Sequence, residues 1–142
     1  MSEEGAKAEA VRYWWDKACE SLAAAHRELD AGDYAFAINR AYYALFYAVS
    51  ALLLEEGHRF GKHSSVRAAF NRDIIKPGRL SGEHGKLYNK LFRARQEGDY
   101  IVFTNFDASY VQEKVDACEQ FLVDIRPLIK SLSPDKGTPS SD

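Results

Sequence analysis

Apolar positions recur along this chain with the spacing of an α-helix, in five stretches punctuated by glycine and proline. The first stretch predicts a helix from about Ala6 to Ala31. Gly32 is its stop, because the position after a helix end favours the left-handed backbone that glycine adopts cheaply. Asp33 then serves as the N-cap of a second helix that reaches about Glu56, before Gly57. The segment HRFGKH reads as a basic loop. A shorter helix follows from about Ser64 to Ile75, and Pro77-Gly78 ends it. Ser81 or Gly82 opens a fourth helix that runs to about Glu97. DYIVFTNF reads as a connector, too short and isolated to build a sheet. Asp107 caps a last helix that continues to about Leu132, with Pro127 kinking it or starting a separate final turn. The tail SPDKGTPSSD reads as disordered. Short connections make sequential helices antiparallel neighbours. The predicted fold is therefore all-α: an up-and-down bundle of about five helices in one domain, 1–132, followed by the tail 133–142.

The second helix carries an unusual polar load, which a wheel of about 100° per residue separates into three faces. Tyr34, Ile38, Tyr42, Leu45, Val49 and Leu52 gather on one side as the core face, with Phe46 and Leu53 at its edge. Ala37, Ala41, Ala44, Ala48 and Ala51 form a second face, small enough for another helix to approach closely. Asn39, Arg40, Tyr43, Tyr47 and Ser50 form a polar stripe. Two readings of the stripe stay open at this point. It is a satisfied buried network that fixes helix register, or it is a shallow polar groove lined by Asn39, Arg40, Tyr43 and Tyr47. Helix four carries a second stripe of His84, Tyr88 and Arg95, with Asp99 and Tyr100 just beyond. An Arg to hold a phosphate, with a Tyr or His nearby to move a proton, is what a metal-independent ribonuclease requires. The alternative is a plain helix face ending in an Arg–Asp pair.

Composition adds bounds. The chain has 142 residues, 46% hydrophobic and 28% charged, which is ordinary for a folded domain. The longest apolar stretch, around Ala41 to Leu54, is broken by Ser50 and closed by Glu55 and Glu56, so no membrane span is expected. MSEEGAKAEA lacks the basic start and apolar run of a secretory signal. Cys19 and Cys118 lie far apart in helical patterns and read as reduced core thiols of a cytoplasmic protein. The net charge of -2 hides an asymmetry: between His58 and Arg95 ten basic residues face two acidic ones, a net of +8. That segment suits an anionic partner such as RNA or a nucleotide phosphate, unless acidic outer helices neutralise it locally. His26, His58, His63 and His84 lack metal-ligand spacing, and there is no glycine-rich phosphate loop, so no cofactor or metal is implied. His58 and His63 flank the basic loop and read as solvated. Of Trp14 and Trp15, only one can face the core fully.

Three blocks, NRAYYALFYAVSALLLEEG, KHSSVRAAF and LFRARQEGDY, resemble in order and spacing the small stand-alone prokaryotic branch of the HEPN domain family. The resemblance covers about Ala18 to Ile125. It implies a bundle of about five helices that forms a homodimer and acts beside a small nucleotidyltransferase in a toxin–antitoxin-like pair. Many such proteins are metal-independent ribonucleases, whose site is an Arg followed by four to six residues and a His, brought together across the dimer. By position that Arg is Arg95, but the residue after Gln96, Glu97, Gly98 and Asp99 is Tyr100 instead of His. Arg79 and His84 have the spacing, yet that pair begins in the loop before helix four and is taken as chance. A tyrosine, with an ordinary pKa near 10, is a poor base.

The expectation is therefore a non-catalytic module. It would bind a nucleotide or RNA phosphate through Asn39, Arg40, Tyr43, Tyr47, His84, Tyr88, Arg95 and Asp99, without a cofactor. Asn39, Arg40 and Tyr43 are expected to build a polar interior that supports Arg95. The alternatives are a ribonuclease toxin using Arg95 and Tyr100, and a purely structural or adaptor dimer.

Overall fold

Gly32 and Gly57 both adopt positive φ, +83° and +96°, and each closes a long helix. The computed structural model describes residues 2–59, 62–96 and 107–132. Five helices follow in order: α1 (Glu3–Asp30), α2 (Tyr34–Glu55), α3 (His63–Phe70), α4 (Gly82–Gln96) and α5 (Ala108–Ile125). No strand occurs among the described residues, and the fold is the all-α bundle that the periodicity predicts. The connector 97–106 and the tail 133–142 lie outside the described residues.

Capping explains most of the boundaries. Ser2 accepts a hydrogen bond from the Gly5 amide at 2.9 Å and starts α1. Asp107 accepts from the Tyr110 amide at 2.8 Å and starts α5. Asp33 occupies the N-cap of α2, but its side chain makes no capping bond there. The third helix divides in two: regular α-helix to Phe70, then a π turn over Asn71–Ile75. The last helix is shorter than expected. It stops at Ile125, and Arg126–Leu128 form a separate 3-10 turn, because Pro127 has no amide to continue the ladder.

Helix α2 is central. Its core face supplies Ile38, Tyr42, Leu45, Val49 and Leu52, and all five alanines of the second face are fully buried. The most extensive helix–helix contact is between α1 and α2, as small side chains permit. Ser21 of α1 reaches the Arg40 carbonyl at 2.7 Å. Phe70 of α3, Tyr88 and Leu91 of α4, and Phe121 of α5 complete the core.

Three expectations are corrected. By length and composition α2 could cross a bilayer, since the apolar helix extends well before Ala41. In this fold, however, its apolar faces are buried against protein. Cys118 is buried, and burial pushes its thiol pKa up, but Cys19 is exposed and not a core thiol. His63 is not a solvated loop residue: it opens α3 and packs against aromatic rings of α2. Trp15 takes the core position, and Trp14 lies beside Tyr47 with ring centroids 5.6 Å apart.

Candidate functional site

Near the C-terminal end of α4, Arg95 projects towards α2 and is only half-buried. A cation in the last turn is favoured by the helix dipole. Its guanidinium Nη2 donates a hydrogen bond to the Tyr43 hydroxyl. The guanidinium carbon lies 5.1 Å from the centre of the Tyr43 ring and 5.7 Å from that of Tyr42. Such cation–π contacts contribute about 0.5–2 kcal/mol each and fix the orientation of the planar group. No carboxylate pairs with Arg95 among the described residues.

His63, at the start of α3, closes the other side of this cluster. Its ring stacks on Phe46, with centroids 4.0 Å apart and planes within 8°. Nδ1 lies 2.8 Å from the Tyr42 hydroxyl, and the Tyr43 ring meets the imidazole edge-on at 5.6 Å. Burial pushes the Tyr42 phenol up to about 12, against the opposing pull of Arg95. Burial, and then the Arg95 charge, push the His63 pKa down, so the imidazole is neutral at pH 7. The result is a permanently charged guanidinium beside a neutral imidazole, both seated on the tyrosines of α2.

The polar stripe of α2 is partly gathered. Arg40, Tyr43 and Tyr47 line one groove between α1 and α2, of about 540 Å³, together with Lys17, Ser21 and Arg27. Tyr43 belongs both to this groove and to the Arg95 cluster. Lys17 holds its ammonium 5.8 Å from the Tyr47 ring centre. Arg40 is exposed and is not the interior residue expected. Asn39 is half-buried and makes no side-chain hydrogen bond with described residues. The expected polar interior supporting Arg95 therefore reduces to Tyr43, with Tyr42 joining it from the core face.

The stripe on α4 divides. Tyr88 is fully buried among Phe70, Tyr42 and Phe121, so it is a core residue and cannot meet a ligand. Burial raises its pKa well above the ordinary tyrosine value. His84 faces α5, where Nε2 lies 2.8 Å from Asp124 and the ring meets Phe121 at 5.0 Å. Eleven residues of helix put His84 roughly 16 Å along the axis from Arg95, so the two cannot share one small ligand group. Asp99 and Tyr100 lie outside the described residues.

The basic middle of the chain does not form one open face either. Arg72 forms an ion pair with Asp73 at 2.8 Å, and Arg79 with Glu56. Arg67 lies over the Phe92 ring at 4.6 Å and donates to Asn89 at 3.2 Å. Asp73 is already counted within the +8, so of these pairs only Arg79–Glu56 draws on an acid outside the segment, and Arg67 is covered by a ring, while Arg95 meets only phenol and π faces among the described residues. The residue that sequence reasoning missed is His63. The one available signal was the Tyr42–Phe46 pair, four apart on α2, which offers a platform to a planar ring without saying which ring arrives.

The quoted blocks imply a helical bundle with an arginine at the end of helix four, and that is where Arg95 stands. The HEPN domain profile matches residues 11–127, and the chain belongs to the HEPN family. It is 44% identical over 126 residues to the UPF0332 protein of Thermotoga maritima, covering 89% of this chain and 96% of that one. It is also similar to two proteins of Methanocaldococcus jannaschii, MJ0142 and MJ0605, which are named as toxin candidates. The first is 35% identical over 102 residues, covering 70% of this chain and 69% of the relative. The second is 32% identical over 81 residues, covering 57% and 60%.

Proposed function

We propose that this HEPN protein is a non-catalytic module that holds the phosphate of a nucleotide or RNA at Arg95. It would dimerise and pair with a nucleotidyltransferase in a toxin–antitoxin-like system of the cytoplasm. The observation that carries the ligand part is the state of Arg95. It is half-exposed, oriented by Tyr42 and Tyr43, and without a carboxylate partner among the described residues. A guanidinium so placed has no counter-charge among the described residues, and a phosphate supplies one with matched bidentate geometry. The names of the archaeal relatives support the toxin–antitoxin context.

Titration of the purified chain with AMP, ATP and a short single-stranded RNA at low salt tests the binding. Saturable binding of at least one probe, weakened in Arg95→Ala, supports it; no binding by any of them sinks the ligand part. The ribonuclease reading draws on the same toxin-named relatives and on Arg95. Metal-free cleavage of RNA by the wild type that is lost in Arg95→Ala would replace the non-catalytic reading. Light scattering tests dimerisation, and a monomer at micromolar concentration would reject it.

A further inference from the structure

Among the described residues, His63 is the ionisable group that α3 brings to the Arg95 cluster, and neither the family motif nor the helix patterns assign it a task. We infer that His63 is the second phosphate ligand of the Arg95 site and acts as a hydrogen-bond donor through Nε2 instead of as a base. The inference rests on the proposed reading of Arg95 as a phosphate site and goes on to name a further ligand and its chemistry.

Tyr42 sets the state of the imidazole. Its side chain is 1% exposed, and its hydroxyl lies 2.8 Å from His63 Nδ1. Its pKa of about 12 keeps the phenol protonated at any ordinary pH. A phenol gives up its proton more readily than a neutral imidazole N–H does, so O–H donates and Nδ1 accepts. The bond made by one ring nitrogen sets the state of the other. The neutral ring then carries its proton on Nε2, which has no hydrogen-bond partner among the described residues. The stack on Phe46 and the edge contact with Tyr43 hold the ring plane.

The groups facing the imidazole are Tyr42 and Tyr43 from α2 and Arg95 from α4. No carboxylate among the described residues stands against it to raise its basicity. A base needs an open lone pair, and the only one on this ring is directed at a buried phenol, where a substrate hydroxyl has no access. A donor needs only an N–H, and that is what the arrangement leaves. Arg95 sits over the same two tyrosine rings, so a phosphoryl group held by the guanidinium lies beside His63 and has an oxygen to spare for it.

The test is a titration of AMP into the wild type, His63→Ala, His63→Gln and Arg95→Ala at low salt and pH 8, with thermal melts to check folding. The expected result is an affinity about tenfold lower for His63→Ala, the usual cost of losing a donor to a charged acceptor. His63→Gln, whose carboxamide N–H can stand in for Nε2–H, stays within about threefold of wild type. A long-range proton–nitrogen spectrum places the His63 proton on Nε2. If His63→Ala fails to fold, the glutamine variant and the spectrum carry the test. Wild-type affinity in His63→Ala, a glutamine variant as weak as alanine, or a proton on Nδ1 each overturns the inference. If Arg95→Ala is weakened and His63→Ala is not, only the role of His63 falls. If Arg95→Ala binds as wild type does, or wild type binds no AMP, the phosphate site falls and His63 with it.

Discussion

Two ends of α4 carry a nitrogen-bearing side chain beside aromatic rings, and they differ in the polar partner each meets. At the start of the helix, His84 stands 2.8 Å from Asp124, and Gln120 donates to the same carboxylate at 2.9 Å. Near the end, Arg95 has a phenol and two ring faces, with no carboxylate among the described residues. The first arrangement is complete without a ligand and ties α4 to α5. The second orients a cation and offers it no carboxylate among the described residues. The two clusters are alike in having polar neighbours; what separates them is a carboxylate at one end and none among the described residues at the other.

The largest expected effect falls between the two ends. Tyr88→Ala removes a fully buried ring that packs on Phe70, Tyr42 and Phe121, and should cost about 3–5 kcal/mol in chemical denaturation. A cost under about 1 kcal/mol would mean the two ends are not separated by a packed core. A smaller effect is expected from Tyr43→Phe, which keeps the ring under Arg95 and deletes only the hydroxyl. AMP affinity should fall about two- to tenfold, in line with one lost hydrogen bond, with the melting temperature little changed. Unchanged affinity would show that the ring alone positions the guanidinium.

Two pH dependences sharpen the contrast. The His63 pKa is lowered in the fold by burial and Arg95, so the unfolded chain binds the extra proton first. Stability should therefore decline as pH falls through about 6.5, and His63→Gln should remove that part of the slope. The smallest effect belongs to the closed end. The Asp124 carboxyl is held below its usual range, first by His84 and then by Gln120. The stability this contributes is present above about pH 4 and is lost as pH falls through the lowered value. Melts of Asp124→Asn across that range should show a flatter acid limb than wild type, and an identical limb would remove Asp124 from the account.

Much of the fold was legible because helix periodicity and glycine stops are local signals. Gly32 and Gly57 fall where the left-handed backbone is needed, and the alanine row of α2 is buried throughout. The site was less legible, because a wheel sorts residues around one helix and says nothing of position along it. His84, Tyr88 and Arg95 share a stripe in sequence, yet one meets α5, one fills the core and one faces α2. Tyr42 looked like core and is core, but its hydroxyl still reaches His63 across 21 residues of sequence. No periodic pattern encodes that contact, since it depends on where the α2–α3 loop delivers the first residue of α3.

The most direct test of the central claim compares Arg95→Ala with His84→Ala by calorimetric titration with AMP at low salt. The open-charge account predicts that Arg95→Ala loses at least about tenfold in affinity, while His84→Ala binds as wild type and is only less stable. Equal loss in both variants, or loss in His84→Ala alone, would contradict it.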